Sequence, residues 1–187
     1  MSIVSKARAG GVPAVLCAVL LASAVPMAAA GPKEDAEQAE KEFARGSLIV
    51  AMELWRNAAN AGHALAQARL GDMLDKAEED EEAVRWYRKS AEQGEPAGEF
   101  GLGEMYAKGE GVKQDIEQAR KHISSAAEKG YLPAMVAVRD MYKKGGLGLA
   151  PDLARSAEWD ERIKPLLPAE VAAAPPPPAP TTRRRRP

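Results

Sequence analysis

The chain has 187 residues, a formal charge of −1 and 5% aromatic residues. That length allows one domain with tails, and the near-neutral charge places no global demand for a nucleic-acid partner. A single cysteine, Cys17, leaves no internal disulfide framework.

Residues 1–30 read as an export signal. Lys6 and Arg8 give a positive start, and residues 12–25 form an apolar run. The run is 14 residues long, short of the ~20 that span a bilayer. Ala28, Ala29 and Ala30 offer a small-residue cleavage site before Gly31, and there is no twin-arginine pair. Cys17 lies inside the run behind Leu16, which argues against a lipid anchor. The expectation is a cleaved leader and a periplasmic or secreted chain with no integral membrane span; a retained anchor is the alternative. Once the leader is removed no cysteine remains, so packing alone must hold the fold.

All nine aromatics lie between Phe43 and Trp159, so the folded part is expected over about 33–165. Its sequence repeats. Ala-rich helix ends are followed by Gly62, Gly94 and Gly130, at spacings of 32 and 36. In that register 64–74, 96–106 and 132–142 align as first helices. The second helices align as AMELWRNAANAG, AVRWYRKSAEQG and ARKHISSAAEKG, and 156–165 continues the series. Ahead of them, 34–44 places Ala36, Ala39 and Phe43 on one helical face. The most complete unit is 97–130, with predicted helices over 96–107 and 115–128 and a Gly109–Glu110–Gly111–Val112 turn. The preceding unit lacks four residues of that turn, and Glu78, Glu79, Asp80, Glu81 and Glu82 read as a shortened, solvated turn at the helix start.

Stacked helix pairs bury stripes that one pair cannot bury alone. Gly71 and Gly103 lie inside helices, where glycine costs about 1 kcal/mol relative to alanine, so a neighbour is expected to approach closely there. Asp115 and Asp152 suit helix N-caps, Pro96 a first helical turn, and Gly62, Gly94 and Gly130 left-handed helix ends.

The pattern A-x-A-x-x-x-LG-x-MY, then G-x-GV, D, A and AA-x-x-G, resembles the Sel-1-like repeat, a relative of the tetratricopeptide repeat. It is strongest in 96–130, with GLGEMYAKGEGVKQD intact, and covers about 47–165 with a degenerate pair before it. Pro96 and Gly98 depart from the usual alanine, and Arg139 replaces the helix glycine of the last unit. The resemblance implies an all-α, right-handed α/α superhelical solenoid of about four helix-turn-helix repeats. It also implies a concave face that binds a protein or peptide, and no shared catalytic site. The expected organisation is a signal over 1–30, a degenerate pair over 31–62, repeats with a capping helix over 63–165, and an Ala/Pro-rich tail over 166–187 expected to be disordered.

Asp72, Glu104 and Asp140 share one repeat position, and Lys76, Lys108 and Lys144 follow four residues on. Either these stripes line a groove for a polar peptide, or each pair is internal, worth ~0.2–0.5 kcal/mol. The expected groove-binding residues are Arg69, Asp72, Glu99, Glu104, Lys108, Arg139, Asp140 and Lys144. The only histidines are His63, in an inter-helix turn, and His122, read as a half-buried packing residue. With no H-E-x-x-H and no Cys–His set, no metal or cofactor is expected, and no G-x-S-x-G or P-loop points to an enzyme. Trp55, Trp86 and Trp159 recur on second helices and read as core.

Without Lys6, Arg8, Arg183, Arg184, Arg185 and Arg186 the body carries 20 basic against 27 acidic residues. The four terminal arginines follow an Ala/Pro-rich spacer and are a candidate contact for an anionic envelope surface, or for the acidic body itself. The leading reading is an exported, non-enzymatic interaction scaffold, and a structural envelope linker anchored by the tail is the alternative. A β-lactam or peptidoglycan hydrolase is the remaining option. It fits poorly, because the cysteine-rich relatives connected with that chemistry carry a disulfide per repeat, and this chain also lacks Ser-x-x-Lys.

Overall fold

The computed structural model describes residues 31–167. The expectations for the leader and for residues 168–187, including the arginine tip, fall outside them. The described residues form eight α-helices: α1 Pro32–Ala44, α2 Leu48–Asn60, α3 Ala64–Lys76, α4 Asp80–Glu92, α5 Pro96–Lys108, α6 Ile116–Glu128, α7 Leu132–Lys144 and α8 Leu153–Ile163. The chain is an all-α helical-repeat solenoid: each helix packs on the next, and α3 also packs directly on α5 past the intervening α4. Among the described residues no helix is long and apolar enough to cross a membrane.

Local chemistry sets the boundaries. The Asp115 carboxylate accepts from the Glu117 and Gln118 amides at 3.0 Å, and Asp152 accepts from Arg155 N at 3.0 Å. Pro96 opens α5. Gly62, Gly94 and Gly130 sit at φ of +92°, +79° and +82° just past α2, α4 and α6, a conformation glycine adopts without a Cβ penalty.

The acidic run differs from its reading as a turn. Asp80, Glu81 and Glu82 form the first turn of α4, where negative charge offsets the positive end of the helix dipole. The connection is only Ala77–Glu78–Glu79, with Glu78 at φ +61°. The expected helices at 96–107 and 115–128 run Pro96–Lys108 and Ile116–Glu128.

The core is strung along the array. One cluster joins Trp55, Leu70, Val84, Tyr87, Leu102 and Met105 across the first five helices. A second joins Ile123, Met135, Val138, Met141, Trp159 and Ile163 toward the C-terminal end. Second helices contribute Ala51, Ala58, Ala59, Ala83, Ala119, Ala126 and Ala127, all essentially without solvent exposure. The tryptophans do not occupy one equivalent site. Trp55 shares its register with Tyr87 and Ile123, which are the buried members. Trp86 and His122 stand one position earlier and are half-buried, Lys89 lying 4.0 Å over the Trp86 ring.

Candidate functional site

The helical glycines explain how α3, α4 and α5 pack so closely. A Cβ at Gly71 would meet the Tyr87 ring at 2.8 Å, and one at Gly101 would collide with the same ring. Tyr87 therefore projects from α4 between α3 and α5. Its hydroxyl donates to Asp72 Oδ1 at 2.8 Å. One unit on, a Cβ at Gly103 would meet Ile123 Cγ1 at 2.7 Å and the Ala119 carbonyl at 3.1 Å. In the last unit the equivalent residue is Arg139, and the position facing it holds Asp160 instead of a bulky apolar side chain. Arg139 Nη1 lies 3.5 Å from Asp160 Oδ1. The loss of the helix glycine and the appearance of an acid opposite it thus belong together.

Around the Tyr87 hydroxyl a charged patch forms. Arg69 bonds Glu40 at 2.8 Å and approaches Asp72 at 3.6 Å. Burial pushes the Asp72 carboxyl above its ordinary value, against the lowering pull of the Tyr87 hydrogen bond and Arg69. Glu104, one repeat further, is solvent-exposed, yet desolvation raises its carboxyl too, with Asp75 and Asp72 adding like-charge repulsion. The Tyr131 hydroxyl, at the start of α7, is raised by burial and by the charges of Asp72 and Glu104. The charges of Asp72 and Glu104 thus act together on the Tyr131 hydroxyl, the three residues standing on α3, on α5 and at the start of α7. At the N-terminal end of the patch Phe43, Trp55 and Met73 floor a cavity of about 80 Å³ with Arg69, Asp72 and Lys76 on its rim.

Of the expected groove residues, Arg69, Asp72 and Glu104 converge on this patch. Lys108 stands at its margin, bonded to Glu110 at 3.0 Å. Asp140 lies at the C-terminal end, where Arg139 donates two hydrogen bonds to it at 2.9 and 2.8 Å. Those bonds hold the Asp140 carboxyl below its ordinary value. Lys144 reaches the same carboxylate at 3.4 Å. The internal i, i+4 pairing is therefore realised in the last unit, while Asp72 and Lys108 take other partners.

Glu99 is a correction. It was expected as an exposed groove position, but it is buried, 9% accessible. It accepts from Ser125 Oγ at 3.0 Å and from Lys129 Nζ at 2.9 Å, and Lys129 also donates to the Gly94 carbonyl at 2.8 Å. This is a lock within one helix pair, closing α6 onto α5, and Lys129 extends it to the loop that precedes α5. Its counterpart in the preceding unit is Gln67, which donates to the Ala59 carbonyl at 3.1 Å and accepts from Gln93 at 2.7 Å. A polar residue recurring at one repeat position, Gln67 then Glu99, was the available signal.

Two residues were underread. His63 is the N-cap of α3, its Nδ1 accepting from Ala66 N at 3.2 Å. Tyr87, passed over in favour of Trp86, carries the hydroxyl at the centre of the patch. His122 stacks on Tyr106 at 5.9 Å between centroids, and burial lowers its imidazole below the ordinary value. Among the described residues no group of three or more His, Cys, Asp and Glu is arranged to hold a metal.

Fold and patch together define a helical-repeat protein with a charged patch where α3 packs on α5. Residues 47–63, 64–95 and 96–131 match the model of the Sel1 repeat, and the chain is a Sel1 repeat protein. The α7–α8 pair lies beyond the matched residues. The chain is similar to the solved structure of a Sel1 repeat protein from Oxalobacter formigenes, at 28% identity and TM-score 0.59, over 71% of this chain and 59% of that one. It is also similar to c5321, a protective antigen of uropathogenic Escherichia coli with an SLR fold, at 29% identity and TM-score 0.60, over 74% and 35%. Among curated proteins it is 43% identical over 68 residues to an uncharacterised protein of Neisseria meningitidis serogroup B, covering 36% of this chain and 14% of that one. It is 37% identical over 78 residues to an exopolysaccharide production negative regulator of Rhizobium leguminosarum bv. viciae, covering 36% and 29%. The chain thus spans less than a third of the length of these curated relatives. Sel1 repeats are in general protein-interaction modules without catalytic function.

Proposed function

We propose that the chain is a non-enzymatic scaffold that binds a protein or peptide along the inner edges of α3, α5 and α7. The observation that carries this reading is Glu104. Its carboxylate is open to solvent on α5, which packs directly on α3, where Arg69, Asp72 and the Tyr87 hydroxyl converge. Lys108 supplies the opposite sign near Glu104, and Arg69 beside Asp72. A surface of mixed charge with a tyrosine hydroxyl at its centre suits a polar peptide better than an apolar helix. The test is the triple variant Asp72→Asn, Glu104→Gln, Asp140→Asn, compared with the parent by crosslinking and mass spectrometry in envelope extracts. Loss of the captured partners with unchanged circular dichroism supports the groove; an unchanged set of partners removes it.

On sequence alone we assign the scaffold to the cell envelope, exported through residues 1–30. The mass of the protein recovered from periplasm or medium tests this, with a chain starting at Gly31 expected. The four terminal arginines are proposed to touch an anionic surface. Co-sedimentation with anionic liposomes at low salt should fall when residues 181–187 are removed; equal sedimentation of both forms ends that part of the proposal. A hydrolase reading has no constellation of residues behind it, and turnover of nitrocefin would reopen it.

A further inference from the structure

The turns of this array have a second task. In the unit after α4, Gly111 lies on the start of that helix: a Cβ there would collide with the Asp80 carbonyl and meet the Glu81 nitrogen at 2.7 Å. Val112 of the same turn packs on the core. One unit later the pattern recurs on α6. Gly148 lies against Ile116 and Arg120, the Leu147 carbonyl accepts from Arg120 Nη1 at 3.3 Å, and Leu147 and Leu149 pack on the second core cluster. Each wide turn thus covers the N-terminus of the preceding second helix and seats an aliphatic side chain there.

The start of α2 has no such cover. The turn that would reach it is the three-residue Ala77–Glu78–Glu79 connection, shorter by four residues than the Gly109 turn. The uncovered residues are Leu48, Ile49 and Val50, at 50%, 73% and 46% exposure. They line an open depression with Gly46 and Ser47. Their equivalents are Asp80, Glu81 and Glu82 in α4 and Ile116, Glu117 and Gln118 in α6. α2 therefore places three aliphatic side chains in a first helical turn where acids are locally favoured. Leu153, the equivalent of Leu48 in α8, is 69% exposed, and no further turn among the described residues covers it. Exposure at this repeat position follows the missing turn.

We propose that the start of α2 is a second interaction surface, which receives a glycine-containing loop of a partner protein carrying an aliphatic side chain. The occupant is argued from the chain itself, since loops of that chemistry fill the two equivalent places. A second copy of the chain is disfavoured because its own Gly109 and Gly145 turns are already seated on α4 and α6. The surface is independent of the charged patch and does not rest on the groove reading.

The test uses the full chain and a peptide of its own residues 107–115. By NMR, the peptide should shift resonances confined to residues 45–51. A peptide with Val112→Ser should bind at least tenfold more weakly, as should the Leu48→Asp, Ile49→Glu, Val50→Glu chain, which carries the residues α4 uses. A graft supplies an intramolecular check: Ala77–Glu78 is replaced by the six residues 109–114. It should raise the melting temperature of the parent and leave that of the triple variant unchanged. The proposal is overturned by the absence of shifts at 45–51, by equal binding of the Val112→Ser peptide, or by the same effect of the graft in both backgrounds. Sedimentation showing a dimer that the triple variant abolishes would assign the surface to a second copy and overturn it equally. An unfolded triple variant would do so as well, because the three residues would then be structural. Loss of groove binding in the Asp72, Glu104, Asp140 variant leaves all of these readouts in place.

Discussion

Glu104 carries a charge that the fold does not favour. Desolvation lifts its carboxyl above the ordinary 4.5, so the folded chain holds the proton more tightly than the unfolded chain does. The stability linked to that proton is complete below the unfolded value and is lost as pH rises through the folded one. Glu104→Gln should therefore stabilise the protein at pH 7, and the gain should disappear in acid, below the ordinary carboxylate range; denaturant melts at both pH values check it. A constant gain across pH would place the effect in packing instead. Gly103 is constrained in the opposite sense. Alanine would gain about 1 kcal/mol of helix propensity, but its Cβ would press on Ile123 and the Ala119 carbonyl. Gly103→Ala is expected to destabilise by a net of up to ~2 kcal/mol, since overpacking typically costs ~1–3 kcal/mol. Pairing it with Ile123→Val should recover part of the loss in a thermal melt.

At the scale of the helix, ends and seams divide the work. Asp115→Ala removes a carboxylate that accepts two amides and should cost ~1 kcal/mol, read by urea unfolding. Asp152→Ala, with one amide acceptor lost, is expected to cost no more. The α5–α6 seam depends on Glu99, where alanine leaves Ser125 and Lys129 without their shared acceptor. The expected cost is ~1–3 kcal/mol. A double-mutant cycle with Ser125→Ala should return a coupling energy of ~0.5 kcal/mol or more, and additivity would deny the lock. Helix identity was legible because the 3.6-residue period, the caps and the glycine ends agree. The seam contacts were not, because a buried Glu99 and an exposed Glu104 look alike in the sequence. Only the approach of α6 separates them.

The molecule as a whole is close to one-dimensional: every helix pair rests on its neighbours, so damage should stay local. Trp159→Ala opens the C-terminal cluster and should speed amide hydrogen exchange in α7 and α8 while α3 to α5 keep theirs. A uniform increase over all the helices would indicate a single cooperative unit instead. The sequence by itself determined the repeat, its register, about four helix pairs, and the Asp115 and Asp152 caps. Each of these is written in local spacing and in residue types whose backbone preferences act over a few positions. The tertiary structure decided which member of each repeated position is buried. It threads Tyr87, and not Trp86, between two glycines to reach Asp72, withdraws Glu99 from the surface, and leaves Leu48, Ile49 and Val50 open beneath a missing turn. Those outcomes depend on what the neighbouring helix brings against each side chain, and that distance in space is set by stacking.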